Sequence, residues 1–455
     1  MPVDRSRLPG VGADPAFALP TVTRHILSNG LHLRTVEHWS VPVVTFALQI
    51  DGGSGADPDG LDGLAALAAD MADEGTGALD AIAVSDALAR IGGDYDVDVG
   101  ADASVFSLTT LARFAGRGAA LLADMVTRPS LRPADFDRVR QLRLDRLRQL
   151  KDLPAAVAER TLLHLLYGRH PYGHLSIGSQ PALERVTLGD VEAFLARTSR
   201  PSAATLVACG AMTHAELRDH VEAAFGGWAG SGEAPAGPPA ARLRPEEASR
   251  ARLAVVPREG APQSELRIGR LTTERATPDH ASLLVMNAIV GGQFVSRINL
   301  KLREEKGYTY GARTSFDWRR GISPFVLQTS VDTPSTADAI ACALTELADV
   351  GGPRPPATAE LASAKASLTR GFPRGFETAQ QVTRAVAQLA LYNLPDSYFS
   401  DFVPAVNAVT VEDVVRGARQ YLDPGAFTTL VVGDRAAIGD SLAALSLGDP
   451  EILPA

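Results

Sequence analysis

Residues 291–311, GGQFVSRINLKLREEKGYTYG, set an arginine and a tyrosine seven positions apart behind a pair of glycines. Arg303 carries a planar group with five donors, suited to a carbonyl or a carboxylate. Tyr310 carries a phenol that can donate to a peptide carbonyl or to the oxyanion formed when that carbonyl is attacked. Gly291 and Gly292 let the backbone turn sharply or come close to another group. The plainer alternative is a structural ion pair of Arg303 with Glu304 or Glu305 and a core phenol at 310. A second stretch, Gly63 to Thr76 (GLAALAADMADEGT), brings Ala66, Ala69 and Asp70 to one helix face. A catalytic zinc needs three protein ligands, and two methyls with one carboxylate offer at most one, so no metal is expected there. His170 and His174 have ligand spacing, but Pro171 and Gly173 between them break a helix and give a loop. Asp94, Asp96 and Asp98 fail as a calcium loop, because Val99 and Val105 stand where a glycine and a glutamate are needed. A strand with three carboxylates on one face fits them better. The sequence has no G-x-S-x-G, Walker loop or G-x-G-x-x-G, so serine hydrolase and nucleotide chemistry lack support.

The elements that carry these residues come from periodicity. Leu64, Leu67, Ala68 and Met71 recur at helical spacing, which predicts an amphipathic helix over 63–76. Val44, Phe46, Leu48 and Ile50 alternate within Val41 to Ile50 and predict a strand with one buried face. Further helices are expected over 83–91, 133–150 and 161–167, and a strand over 103–111. The segment Val186-Thr187-Leu188-Gly189-Asp190-Val191 recurs 223 positions later as Val409-Thr410-Val411-Glu412-Asp413-Val414, with Pro201 matching Pro424 and Gly210 matching Gly433. An offset near half the length predicts two homologous domains, 1–228 and 246–455, joined by a Gly/Pro/Ala-rich linker over 229–245. The fold class expected is α+β, each domain a largely antiparallel sheet with helices packed on one face.

Composition narrows the function classes. With 455 residues, 45% hydrophobic and 21% charged, the chain can bury a large core. A net charge of −9 argues against nucleic acid and anionic membrane as partners. Cys209 and Cys342 are too few for a disulfide framework and too isolated for a cysteine metal site. No 18-residue apolar run exists and the start lacks an apolar signal core, so no membrane span is expected and the location expected is cytoplasmic, or periplasmic if a signal has been removed.

The stretch 63–76 resembles the metal-binding helix of the insulinase/pitrilysin (inverzincin) zinc peptidases, whose pattern is G-L-A-H-x-x-E-H-M-x-x-x-G-T. The frame is kept at Gly63, Leu64, Ala65, Met71, Gly75 and Thr76. Both histidines and the glutamate are replaced, by Ala66, Asp70 and Ala69 respectively. The family's third ligand, a downstream glutamate, falls on Arg146, with Asp145 beside it. The loop 168–173, GRHPYG, with Ile177-Gly178 is similar to the family's H-P-Y-G…I-G, and 291–311 to its G-G-x-F-x-S-R-L…L-R-E-x-x-G-x-x-Y. In that family the Arg and Tyr of the last motif line a substrate cleft opposite the zinc, and a strand near Asp96-Val97, usually Asn-Ala, pairs with substrate. The resemblance, which covers about residues 23–434, therefore implies a half-clamshell of the short two-domain type. It implies a non-catalytic subunit whose substrate-binding set is Arg303, Tyr310, Gly291 and Gly292, with Arg303 and Tyr310 acting in trans with the zinc site of a partner. It places no cofactor in this chain and puts the zinc in a homologous H-x-x-E-H-bearing partner. The alternative is a peptidase-derived scaffold or binding protein with no proteolytic role.

Overall fold

The computed structural model describes residues 17–230 and 252–454. The linker expected over 229–245 therefore lies outside the described residues, apart from Ala229 and Gly230. The first half contributes β1 (Val22–Ile26), β2 (His32–Glu37), β3 (Val43–Asp51), β4 (Gly75–Thr76), β5 (Leu79–Asp80), β6 (Asp94–Val99), β7 (Ala103–Leu111) and β8 (Ala204–Gly210). The second contributes β9 (Arg252–Pro257), β10 (Gln263–Leu271), β11 (Ala312–Phe316), β12 (Pro324–Asp332), β13 (Thr428–Gly433) and β14 (Glu451–Ile452). Two six-stranded sheets result, ordered β1-β2-β8-β3-β7-β6 and β11-β12-β10-β13-β9-β14. Both are antiparallel except where β2 meets β8 and where β9 meets β13 and β14. The two orders correspond strand for strand at β2/β9, β8/β13, β3/β10, β7/β12 and β6/β11, as the internal repeat predicts.

The helices of the first half are α1 (Leu64–Asp70), α2 (Ala81–Arg90), α3 (Ala115–Thr127), α4 (Pro133–Lys151), α5 (Pro154–Tyr167), α6 (Gln180–Arg185), α7 (Leu188–Thr198) and α8 (His214–Phe225). Those of the second include α9 (His280–Val290), α10 (Thr336–Gly351), α11 (Thr358–Arg370), α12 (Ala379–Leu391), α13 (Tyr398–Ala408) and α14 (Val411–Tyr421). The repeated segment explains itself here. Thr187 and Thr410 each cap a helix, α7 and α14, in a capping box closed by Asp190 and Asp413, which satisfies backbone donors left open at a helix start.

Phe46, Leu48 and Ile50 of β3 face α3 and α8, as their alternation predicts. The opposite face, Thr45, Ala47 and Gln49, is buried as well. Its cover comes from the other half, since α12 lies across β3 and β8 and packs Val382 and Val386 on Val36 and Val207. The exchange is reciprocal: α5 of the first half lies across β10 and β13, with Val157, Leu162 and Leu166 against Val256, Leu271 and Leu430. Each such side chain is worth about 1.5–3 kcal/mol when fully buried, so the swapped helices bind the halves into one unit. The GRHPYG loop reinforces the joint. Arg319 sits between the rings of Tyr167 and Tyr172, 4.9 Å from each, and donates to the Tyr172 carbonyl at 3.1 Å. The Tyr172 hydroxyl donates to Asp102, which also accepts from the Arg320 backbone at 2.9 Å.

One element departs from its expected length. The helix predicted over 63–76 is only seven residues long, and all but Asp70 are buried, so it is not amphipathic. Gly75 lies at φ +152° in the β4–β5 hairpin, which ends any helical run. Gly63, at φ +96°, needs its missing side chain because a Cβ there would meet the Gly178 Cα at 2.8 Å. Gly63 and Gly178 thus hold each other, fixing the start of α1 against the loop that follows α5.

Candidate functional site

Asp57, seven residues ahead of the first residue of α1, sets that helix. Its side chain is fully buried and accepts from the backbone of Gly63 at 2.7 Å and of Ala65 at 2.6 Å, where the positive end of the helix dipole favours a carboxylate. His174 Nε2 stands 3.0 Å from the same carboxylate, with Asp62 3.9 Å away on the other side of the ring. Burial opposes the imidazolium, yet the two carboxylates outweigh it and raise the His174 pKa above its ordinary value. His174 is thus a support for α1, in keeping with the loop expected around it.

On the far end of α1, Ala66 and Ala69 are 3% and 2% exposed, packed away where a metal ligand and a base would stand. Asp70 meets Arg143 of α4, whose Nε lies 3.0 Å from Oδ2, an ion-pair contact whose angle falls short of a hydrogen bond. The guanidinium facing the old ligand position is therefore that of Arg143. Arg146, the position expected from the spacing, lines the same cavity one turn on and donates to Gln149 at 3.3 Å. This cavity, about 500 Å³, is also walled by Asp73, Glu74, Tyr95 and Asp96. Burial raises the Asp70 carboxyl while Arg143 pulls it back, and burial raises the Tyr95 phenol further with Asp73, Asp70 and Asp96 beside it. Zinc needs three neutral or anionic donors around one point. Two methyls, a carboxylate already paired and two cations do not fit it. Among the described residues no group of three or more His, Cys, Asp or Glu side chains is gathered to hold a metal.

Asp94, Asp96 and Asp98 alternate outward along β6 with Tyr95, Val97 and Val99 turned in, so the three carboxylates share one face as expected. β6 is the last strand of its sheet, with one backbone edge unpaired.

The second-half motif follows α9. Gly291 and Gly292 allow close approach, and what approaches is the chain itself: a Cβ at 291 would meet the Thr314 side chain at 2.6 Å and one at 292 the Asn287 amide at 2.5 Å. The groups closest to both glycines are thus side chains and backbone of this chain itself. Arg297 is structural, paired twice with Glu360 at 2.7 and 2.8 Å and with the carbonyls of 354 and 355. Arg303 lies in a π-helical segment, Leu300–Glu305, a geometry that is found mostly as single turns near functional sites. Its guanidinium sits 4.2 Å from the Phe294 ring centroid and 3.4 Å from Glu304, the neighbour anticipated for a structural pair. Tyr310 is 95% exposed, so the core-phenol alternative does not hold. The turn that presents it is braced on both sides: Tyr308 donates to Asp338 at 2.7 Å, and the Thr309 and Thr329 hydroxyls both donate to the Gly311 carbonyl, at 2.9 and 3.0 Å. Reading by residue type and spacing did not single out Arg143 or Asp57, and it met Phe294 only as a motif position; Arg143 could be found as the residue one turn before 146 on the same helix.

Comparison with known proteins adds the following. Residues 35–178 match the family described as Insulinase (Peptidase family M16), and residues 185–368 match Peptidase M16 inactive domain. An uncharacterized zinc protease of Mycobacterium tuberculosis is 24% identical over 411 residues, 90% of this chain and 92% of that protein. A probable mitochondrial-processing peptidase subunit beta of Schizosaccharomyces pombe is 25% identical over 282 residues, 60% of each. Among solved structures, a protease from Helicobacter pylori superposes with a TM-score of 0.84 at 19% identity, covering 91% of this chain and all of that one. A peptidase M16 inactive domain from Pseudomonas fluorescens superposes at 0.82 with 23% identity, covering 91% and 98%. Among the described residues no helix is long and apolar enough to cross a membrane.

Proposed function

Because this chain belongs to the insulinase family of peptidases, family M16, in its two-domain form, we propose that it is a non-catalytic, substrate-binding subunit of a heterodimeric zinc peptidase. A homologous subunit bearing H-x-x-E-H supplies the cutting site, and the two enclose a peptide between them. One observation carries the reading: Tyr310 is a large side chain held almost fully in solvent on a braced turn, where it contributes nothing to this chain's own packing. So placed, its phenol is open to a group from outside the chain and can donate to it. The replaced donor set at 66, 69, 70 and 146 supports the division of labour, since this half cannot assemble a metal site of its own.

In this account Arg303 donates to a carbonyl of the bound peptide and Tyr310 donates to the oxygen of the carbonyl under attack. The second bond strengthens as charge grows on that oxygen, so it lowers the barrier without tightening substrate binding. Tyr310→Phe in the assembled complex should lower kcat on the order of 10²-fold with KM little changed. Arg303→Ala should raise KM. The second reading, a scaffold with no proteolytic role, draws on the contacts that Arg303 already makes with Phe294 and Glu304. It predicts that both variants cleave at the unaltered rate.

A further inference from the structure

A second cavity, about 850 Å³, lies between the halves, on the face of the first sheet that α12 covers only in part. Strand register fixes its floor. Gln49 of β3, Val105 of β7 and Asp98 of β6 stand opposite one another, as do Ala47, Ser107 and Asp96 two residues along, so all six side chains leave one face of the sheet. Because α12 rests on β3 and β8, a trough is left over β7, with the β6 carboxylates along one rim and α12 along the other. β3 and β6 are two strand spacings apart, about 10 Å. Satisfied groups close both ends. At one, Gln380 of α12 donates to Asp94 at 3.2 Å. At the other, Arg320 donates to the Leu391 carbonyl at 2.6 Å and, through its backbone, to Asp102 at 2.9 Å. Arg384 comes one helical turn after Gln380, about 6 Å on, and Asp96 comes two strand residues after Asp94, about 6–7 Å on, so the two are level across the trough. The same step sets Gln388 level with Asp98.

The groups between the ends are unspent. Among the described residues, the side chains of Arg384, Asp96 and Asp98 line the cavity and make no ion pair or hydrogen bond. Gln49 is 2% exposed, lines the same cavity, and its side-chain amide likewise has no partner in the chain. Buried polar groups are ordinarily paired, so Gln49 points to a guest in the trough. Carboxylates on one rim call for a cation, and a guanidinium on the other calls for an anion. The amide between them offers a donor and an acceptor, the complement of a peptide unit. Three extended residues reach about 10 Å, the width of the trough.

We propose that this trough binds a peptide of about three residues by its two ends. The N-terminal ammonium meets Asp96 and Asp98, the C-terminal carboxylate meets Arg384 and Gln388, and Gln49 pairs with a peptide unit between them. Such a ligand lies across the strands, so the site differs from pairing along the β6 edge and from the surface that holds Arg303 and Tyr310. It recognises the free ends that a short fragment carries close together and a long chain does not. Binding here needs no partner subunit and stands apart from the proteolytic reading.

The test uses the full chain and tri-alanine in isothermal titration calorimetry, with melting curves as the check on folding. Tri-alanine should bind with Kd below about 1 mM. N-acetylation and C-terminal amidation should each weaken it about 10-fold, the scale of one lost hydrogen bond between charged groups. Arg384→Ala should bind the free acid and the amide alike while still rejecting the N-acetyl form, and Asp96→Asn combined with Asp98→Asn should do the converse. These three side chains are exposed, so the variants should melt with the parent. Gln49→Met should weaken tri-alanine without lowering the melting temperature, since that amide has no partner in the chain to lose. Hexa-alanine, whose extended ends lie about 20 Å apart, should bind about 10-fold weaker than tri-alanine. No binding of tri-alanine up to about 5 mM, blocked ends that bind as well as free ones, or end discrimination that survives the charge-removing variants each overturn the proposal. So do hexa-alanine binding as tightly as tri-alanine and a Gln49→Met chain that melts lower, since the trough then takes an internal stretch of chain or the amide is spent within the fold.

Discussion

Asp70→Asn probes how the pocket beside α1 is held together now that no metal donor set spans it. The change keeps the volume, removes the charge, and leaves the Arg143 side chain, 11% exposed, without its counter-ion. An exposed ion pair contributes about 0.2–1 kcal/mol, whereas removing one partner of a fully buried pair costs about 3–5 kcal/mol. Asp70 is 41% exposed, so water screens the pair and the cost falls between these limits, about 2 kcal/mol. Arg143→Met should cost less, about 1 kcal/mol, because methionine replaces much of the arginine stem. The Asp70 carboxyl it leaves behind can be hydrated or take up a proton, the form that burial already favours. The double variant should then lose less than the two single losses together, by about 1 kcal/mol. Urea denaturation of the four proteins measures this, provided the slope with denaturant is shared. Additive losses, or Arg143→Met costing more than Asp70→Asn, would refute the view that this pair joins α1 to α4.

Three further outcomes follow from the same geometry. Purified chain should hold far less than one zinc by elemental analysis after dialysis against micromolar zinc, since Ala66, Ala69, Asp70 and Arg146 leave no donor set; a stoichiometric ion would contradict the site as described. The folded pKa of His174 is raised above its ordinary 6.5, so its contribution to stability is complete below that value and is lost as pH rises through the folded pKa. Between about pH 6 and about pH 9 the melting temperature of the parent should therefore fall more than that of His174→Gln, and parallel curves would remove His174 from the support of α1. The assembled complex should bury more than about 2,000 Å² in total, as permanent complexes do, which a crystal structure of the pair would measure.

Much of this was legible in the sequence because the signals are local. Thr187 with Asp190 and Thr410 with Asp413 are capping boxes spelled within four residues, and the β3 alternation names one core face correctly. Signals that depend on distant partners were not legible. The odd face of β3 is buried by α12, more than three hundred residues away, so alternation alone left it looking open. Leu64, Leu67, Ala68 and Met71 gave a helical spacing, yet the helix stops at Asp70, ahead of the hairpin in which Gly75 lies. The spacing that pointed to Arg146 found the right helix and the right cavity, yet side-chain direction within one turn decides that Arg143 faces Asp70. Gly291 and Gly292 were read correctly as sites of close approach. Only the fold reveals that Thr314 and Asn287 are what approaches. The pair Arg303 and Tyr310 was found by residue type and spacing, while the ring of Phe294 that steadies Arg303 lies outside any spacing rule.

The central claim is that this subunit completes a peptidase without cutting by itself. The direct measurement is cleavage of a quenched fluorogenic peptide by this chain alone, by its H-x-x-E-H-bearing partner alone, and by the two mixed at equal concentration. Turnover should appear only in the mixture and fall on the order of 10²-fold when the mixture is made with Tyr310→Phe. Cleavage by the partner alone at the rate of the mixture, or a mixture indifferent to Tyr310→Phe, would contradict the account.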